Sequence, residues 1–230
     1  MERLGRQHAI DVLSRTGWLA GEGAAFRVEV LARARAVEIG AGAVVYRIGD
    51  PPGGIYGLAA GAAALSFAAG EAGGVLLQYG PAGGWTGVGS FLTGCPRHGE
   101  LRAASDCLLL HLPLEAMEEM AARDPEAIRA FARIEVQNLK LALAFLRVAT
   151  LPTSERRVAA ALVQASRAPA SRLSLTQVEL ATVANCSLRQ VSTAMRGFVR
   201  ARLVAQGYRT IRVLDAARLE AVAAGGPLPG

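Results

Sequence analysis

Between residues 36 and 112 the apolar residues come in short runs broken by glycine: AVEIGAG, VVYRIGD, GGIYGLAAGAAALSFAAG, GGVLLQYGPAGGWTGVGSF and ELRAASDCLLLHL. Turn signals at that spacing predict many short strands, as in an all-β sandwich or jelly roll. Gly40, Gly42, Gly49, Gly61, Gly70 and Gly80 stand where such turns need a positive φ. On the N-terminal side the pattern is helical: a lead-in over residues 1–20, broken at Gly21-Glu22-Gly23, then Ala24 to Ala34 with Phe26, Val30 and Leu31 on one side. On the C-terminal side, Pro113 to Arg123 predicts a short helix. Asp124-Pro125 then opens a long one, with Asp as N-cap and Pro at the first helical position.

Along that long helix Ala127, Phe131, Ile134, Asn138, Leu141, Phe145 and Val148 recur at spacings of four and three, a heptad seam. Alone, such a stripe could as well face the core of its own domain. A second apolar line, Val136, Leu139, Leu143 and Leu146, is available for that core. Two stripes on one helix need two partners. The expectation is a parallel homodimer with Phe131, Ile134, Asn138, Leu141, Phe145 and Val148 in the seam, Asn138 fixing register at some cost in stability. Leu151-Pro152-Thr153 stops the helix, because the residue before proline is pushed out of α geometry. The expected division is residues 1–123, a β-roll with N-terminal helices, 124–150, the long helix, and 151–230.

The last segment is again helical. Thr153 or Ser154 caps SERRVAAALVQASR, with Val158, Leu162 and Ala165 facing inward, and Pro169 to Ser171 reads as a loop. Thr176-Gln177-Val178-Glu179 has the form of a capping box. The helix it starts carries Leu180, Val183 and Ala184 and ends at Asn185-Cys186, where Asn tolerates the left-handed conformation. Ser187-Leu188-Arg189-Gln190 is a second capping box, so a new helix begins almost at once. On this helix Val191, Met195, Phe198 and Val199 share one face, and Arg189, Ser192, Thr193, Arg196 and Arg200 the other. Leu203-Val204-Ala205, a Gln206-Gly207-Tyr208-Arg209 turn and Thr210 to Leu214 read as a β-hairpin, and Asp215 as the cap of a final helix, AARLEAVAA.

Two helices joined by so tight a turn, the second presenting Arg, Gln, Ser and Thr, have the geometry that reads a DNA major groove. Arg can bond guanine, Gln adenine, and hydroxyls and further arginines phosphate. The candidate DNA contacts are Thr176, Gln177, Ser187, Arg189, Gln190, Ser192, Thr193, Arg196, Arg200 and, in the hairpin turn, Arg209. A basic, solvated helical hairpin is the plainer alternative. Charge bears on the choice: from residue 151 onward there are eleven Arg and no Lys against four acids, a net +7, whereas the first 150 residues hold fourteen basic and fifteen acidic groups, a net −1. The positive charge travels with the helical pair, as a phosphate footprint requires.

The stretch TQVELATVANCSLRQVSTAMRGFVRARLV, followed by a hairpin and Asp215, resembles the C-terminal domain of the cyclic AMP receptor protein and fumarate-nitrate regulator (Crp/Fnr) family. The N-terminal region resembles it too, in Gly49-Asp50, Tyr56 and Gly61. The resemblance implies an α+β protein: a cyclic-nucleotide-binding-like β-roll, a long dimerisation helix and a winged helix-turn-helix. It also implies a cytoplasmic homodimer on near-palindromic double-stranded DNA, with RNA polymerase as a further partner. In family members that bind cyclic nucleotides, a Gly-Glu pair holds the ribose and an Arg-Ser pair about ten residues on holds the phosphate. Here the first falls at Gly87-Val88, without the carboxylate, and the second at Arg97-His98. Gln137 and Asn138 are the polar groups of the long helix nearest the family's effector contacts. Those six residues are the candidate effector pocket, and the loss of the carboxylate implies an effector other than cyclic AMP. The reader helix also departs from the family's commonest pattern: Leu188 and Thr193 stand where two arginines are usual, which implies a different half-site.

Composition narrows the remaining classes. A chain of 230 residues with 52% hydrophobic content fits two modest folded domains. It has no apolar run long enough to span a membrane and no apolar signal core at its start. Cys95, Cys107 and Cys186 are too scattered for a disulfide framework, and with His8, His98 and His111 they show no zinc or iron-sulfur spacing. Cys95-Pro96-Arg97-His98 comes nearest to a metal clip. No nucleophile with a plausible base and no paired carboxylates appear, so neither catalysis nor a cofactor is expected. The alternatives to a DNA-binding regulator are an enzyme regulatory module and a winged-helix interaction module.

Overall fold

The structure, a computed structural model, describes residues 2–67, 76–80, 82–166, 176–207 and 210–227. The chain divides into two compact units, Met1–Ala142 and Leu143–Gly230. The first begins with helices α1 (Glu2–Leu13), α2 (Gly17–Ala20) and α3 (Ala24–Arg33). Strands β1 (Arg35–Ile39), β2 (Val44–Tyr46), β3 (Ile55–Ala60), β4 (Ala63–Ser66), β5 (Leu76–Gly80) and β6 (Trp85–Thr86) follow. Then come the short helix α4 (Val88–Thr93), β7 (Glu100–Ala103), β8 (Cys107–Leu112) and helix α5 (Leu114–Arg123). Helix α6 (Glu126–Ala149) runs from the first unit into the second.

The strands form two antiparallel four-stranded sheets, ordered β1-β8-β3-β6 and β2-β7-β4-β5. β8 explains how they stack. Its sequence is apolar almost throughout because both faces are covered: Cys107 and Leu109 point between the sheets with Leu58 and Leu101, while Leu110 and Leu112 point at the helices. The apolar run of DCLLLHL is thus a strand at the middle of three layers. At Gly57 the Trp85 ring lies where a side chain would start, a built Cβ falling 2.6 Å from the ring, so only glycine admits the indole.

Gly42, Gly49 and Gly61 adopt the positive φ expected of them, but Gly40 does not; Gly54, Gly83, Gly87 and Gly94 supply further left-handed turns. Gly80 closes β5, and Gly70 lies outside the described residues. Helix α4 interrupts a run whose glycine spacing reads as strand, because Gly87 (φ 97°) and Gly94 (φ 69°) allow a turn of helix between two tight bends.

The helical side of the first core is aromatic. Phe131 of α6 is fully buried and meets Phe26 and Phe91 edge-on, with ring centroids 5.3 and 5.4 Å apart. Trp18 packs on Trp85 and donates its indole N–H to the carbonyl of Ala130 at 2.7 Å. Ala127, Ile134 and Leu13 complete the contact.

This packing corrects the expected use of α6. Phe131 and Ile134 are spent in the first unit's core and Val148 in the second's, while Asn138 donates to the carbonyl of Trp85 at 3.1 Å. Those four therefore cannot form an exposed seam; Leu141 stays exposed and Phe145 half-buried. The line assigned to the core is the free one: Val136, Leu139, Leu143 and Leu146 are 50, 58, 55 and 58% exposed. Periodicity counts stripes correctly but is blind to which one the aromatic cluster claims.

The second unit comprises α7 (Ser154–Ser166), α8 (Gln177–Val183), α9 (Leu188–Arg200), the hairpin β9 (Val204–Gly207) and β10 (Thr210–Val213), and α10 (Ala216–Ala224). Val158 and Leu162 of α7, Leu180 of α8, Met195 and Phe198 of α9 and Leu219 of α10 share one core. Asp215 caps α10, accepting from the Arg218 amide at 3.0 Å. Gln206 and Gly207, expected in the turn, pair with Ile211 and Thr210 in the ladder; Tyr208 and Arg209 lie outside the described residues. The loop expected at Pro169 to Ser171 lies outside the described residues.

Replacing Phe131 by Ala is expected to remove about 3–5 kcal/mol of stability from the first unit. Tryptophan fluorescence in a urea titration reads this unit selectively, because both tryptophans, Trp18 and Trp85, belong to its core. A loss below about 1 kcal/mol would show that the ring is not packed as described.

Candidate functional site

In the second unit the turn between α8 and α9 is set by local bonds. Asn185 adopts φ 48°, and the amides of Asn185 and Cys186 return to the carbonyls of Thr182 and Ala181 at 3.1 and 2.9 Å, the two bonds of a Schellman ending. Helix α9 then starts from a complete capping box: the Gln190 amide donates to Ser187 Oγ at 3.3 Å, and the Ser187 amide donates to Gln190 Oε1 at 2.9 Å. The turn is further tied to its unit by Arg157, whose Nη1 donates to the carbonyl of Leu151 and whose Nε donates to Cys186 Sγ.

With both ends fixed, α9 buries Val191, Ala194, Met195 and Phe198. Arg189, Thr193, Arg196 and Arg200 are exposed, Ser192 is half-buried, and Arg196 Nη2 donates to Thr193 Oγ1 at 3.4 Å. Val199, expected on the packed face, is 40% exposed, because the core is centred between Val191 and Phe198 and leaves that position at its rim. Thr176 and Gln177 are half-buried at the start of α8, where the Leu180 amide returns to the carbonyl of Thr176 at 3.0 Å. The Glu179 side chain, which would complete the first capping box, and Arg209 lie outside the described part of the structure.

In the first unit a cavity of about 360 Å³ opens between the β-roll and α6, lined among others by Tyr46, Gly87, Arg97, His98, Glu135 and Asn138. Arg97 is its structural anchor. Although a cation, it is 4% exposed, and it donates from Nη1 to the carbonyl of Gly87 at 2.6 Å and from Nη2 to that of Gly54 at 2.7 Å. Its Cζ lies 4.4 Å from the centroid of the Tyr46 ring, and its backbone pairs with Gly49 and Asp50. Among the described residues no carboxylate lies within ion-pair distance of it, and its buried Nε has no partner. Burial raises the Tyr46 hydroxyl above its ordinary value while Thr86 shares a hydrogen bond with it at 3.2 Å.

Two of the six candidate effector residues stand elsewhere. Val88 is fully buried in the helical core, because the left-handed Gly87 turns the start of α4 inward. Gln137 is exposed and does not line the cavity. Glu135, two residues earlier, does line it, and no local motif singles it out. Burial pushes its carboxyl above the usual carboxylate value, an effect opposed by a hydrogen bond from the Gly89 amide and by His98. His111 stacks on Tyr56 with centroids 4.4 Å apart, and its Nε2 lies 2.6 Å from the carbonyl of Gly53, so the proton sits on Nε2. Burial holds the His111 imidazole below its ordinary value, against the opposing hydrogen bond to the Gly53 carbonyl. Among the described residues no group of three or more His, Cys, Asp or Glu could hold a metal ion, and no helix is long and apolar enough to cross a membrane.

A β-roll followed by a long helix and a winged helix with an arginine-faced second helix defines a transcription regulator with a helix-turn-helix DNA-binding domain. A family model for a cyclic nucleotide-binding domain matches residues 36–124, and one for a Crp-like helix-turn-helix domain matches residues 156–222. The chain belongs to the Crp/Fnr family of transcription regulators. No curated protein matches its sequence. Among solved structures it is similar to FixK2 from Bradyrhizobium japonicum, at 18% identity and TM-score 0.73 over 84% of this chain and 99% of that one. It is also similar to TTHA1359, a CRP/FNR-family transcriptional regulator from Thermus thermophilus, at 25% identity and TM-score 0.63 over 84% and 100%. The c-di-GMP-responsive global regulator CLP from Xanthomonas campestris matches at 20% identity and TM-score 0.65 over 83% and 99%.

Proposed function

We propose that the protein is a dimeric, sequence-specific DNA-binding regulator whose β-roll senses a small molecule other than cyclic AMP. Residues 1–123 form the sensor, 124–150 the dimer helix and 151–230 the reader, at work in the cytoplasm beside RNA polymerase. The observation that carries this reading is α9, capped at its start, packed along one side and lined with exposed arginines along the other. Arg189, near the N-terminal end, is the base reader, and Thr176, Gln177, Thr193, Arg196, Arg200 and Arg209 hold phosphate. Ser187 and Gln190 serve through the cap that orients them.

Selection of bound duplexes from a random pool tests the reading. The expected product is two half-sites about one helical turn apart, some 34 Å, on a near-palindromic sequence. Arg189→Ala should cost about 1–3 kcal/mol at one base pair of each half-site and relax preference there alone. A uniform loss across sequences would make Arg189 a phosphate contact, and binding without sequence preference would favour a general winged-helix interaction module.

The second copy is proposed to dock on the exposed line Val136, Leu139, Leu143 and Leu146, an apolar stripe at spacings of three and four on one helix. Leu139→Glu with Leu143→Glu is expected to convert the dimer to monomer in sedimentation velocity. A dimer that survives both changes places the interface elsewhere.

The effector reading rests on the cavity beside Arg97 and on Val88, an apolar residue at the sequence position where the resemblance calls for a carboxylate, buried in the helical core and not in the cavity. Calorimetric titration is expected to show no micromolar binding of cyclic AMP. Saturable heat in that range would overturn this part of the proposal while leaving the DNA reading intact.

A further inference from the structure

The first turn of α9 has little left to read bases with. Ser187 Oγ accepts from the Gln190 amide and donates to Gln190 Oε1 at 3.1 Å, and the same Oε1 accepts from the Ser187 amide. A glutamine reads adenine by using its carbonyl oxygen and its amide nitrogen together on N6 and N7. With Oε1 held inside the capping box, Gln190 cannot do so unless the box opens. The side chains that remain free in this turn are Leu188 and Arg189.

Leu188 is the unexpected one. It is the first residue of the helix and 50% exposed, and it makes no part of the second unit's core. Successive side chains turn by about 100° around a helix, which sets Leu188 on the rim between the buried line through Val191 and Met195 and the exposed face of Arg189, Thr193, Arg196 and Arg200. An apolar side chain is thus held at the leading edge of a cationic surface, in the turn that reaches deepest into a major groove. The groove offers one feature with matching chemistry. Thymine alone among the four bases carries a C5-methyl group there, and apolar side chains recognise it by contact.

We infer that Leu188 reads a thymine in each half-site through its C5-methyl group, beside the base pair read by Arg189. This rests on the assignment of α9 as the DNA reader and adds a specificity-determining residue to it. The contact is apolar and adds no charge, so it contributes to discrimination and not to the salt dependence of binding.

Replacing thymidine by deoxyuridine in a duplex removes that methyl group and nothing else. The full-length protein is titrated against its selected site with each thymidine of a half-site replaced in turn, using fluorescence anisotropy. One position per half-site is expected to weaken binding about fourfold on replacement, the order of one buried methylene-sized group. Leu188→Ala should bind the thymidine and deoxyuridine forms of that position equally. It should keep the helical content of the parent by circular dichroism, since Ser187 and Gln190 still cap the helix. Insensitivity of every thymidine position to deoxyuridine overturns the inference while leaving the reader assignment standing. A deoxyuridine penalty that persists unchanged in Leu188→Ala overturns it as well, by giving the methyl contact to another residue. Absence of any sequence preference at the outset removes the reader assignment itself, and this inference with it.

Discussion

The rotational setting of α6 is the constraint on which the first unit depends, and it is fixed by Phe131. Its ring enters a pocket made by Phe26, Phe91 and Trp18, while the Trp18 indole N–H takes the carbonyl of the preceding residue, Ala130. A ring with edge-on neighbours on two sides cannot slide without losing contact with them, and a backbone carbonyl bound by the Trp18 indole holds the helix against rotation. Everything else on α6 follows from this one anchor. Ile134, three residues on, goes inward, Glu135 and Asn138 come to the cavity, and Val136, Leu139, Leu143 and Leu146 are left outside. The helix is continuous from Glu126 to Ala149, so the exposed line lies on a single element.

Arg97 shows how the cavity wall is held. A guanidinium almost removed from water would ordinarily be paired with a carboxylate; here it faces two backbone carbonyls and an aromatic ring. Carbonyl dipoles take up Nη1 and Nη2 without cancelling the charge, while the buried Nε has no partner. Glu135, exposed on its outer side, lines the same cavity; desolvation there raises its carboxyl, against the opposing effects of the Gly89 amide and His98. The two residues come to the cavity from different elements, Arg97 from the loop after α4 and Glu135 from α6. Gly87 permits this arrangement, since a Cβ there would meet Arg97 Nη1 at 2.6 Å.

What the sequence made legible was governed by neighbouring residues. The capping box at Ser187, the left-handed Asn185 and the Asp215 cap are contests between a side chain and backbone groups a few residues away, so the residue types alone decide them. The fold class was equally readable, because short strands with glycine turns followed by a helix pair and a hairpin leave few arrangements. What stayed hidden depended on contacts between residues far apart in the chain. The choice between the two stripes of α6 was made by Trp18 and Phe26, more than a hundred residues earlier. Val88 was carried into the core by helix α4, and Glu135 gained its place in the cavity only when α6 was oriented. None of these three has a signature within a few residues of itself.

The same division between local and distant determinants bears on how the reader helix can change its target. Helix α9 is closed at both ends by short-range bonds: the capping box at Ser187, and at its far end a second Schellman ending in which Arg202 takes φ 56° and the Leu203 amide returns to the carbonyl of Phe198 at 2.8 Å. Its inner line of Val191, Ala194, Met195 and Phe198 sets the angle at which it lies on its unit. Position, length and rotation are thereby determined without Leu188, Arg189, Thr193 or Arg196. Those residues can be exchanged at little cost in stability, because they touch neither the caps nor the core. The capping residues are under the opposite constraint: using Gln190 for a base would open the box, a loss of roughly 1 kcal/mol that base contact would have to offset. Changes of specificity in this helix should therefore fall on its exposed rim and face, where an apolar side chain and an arginine already stand side by side.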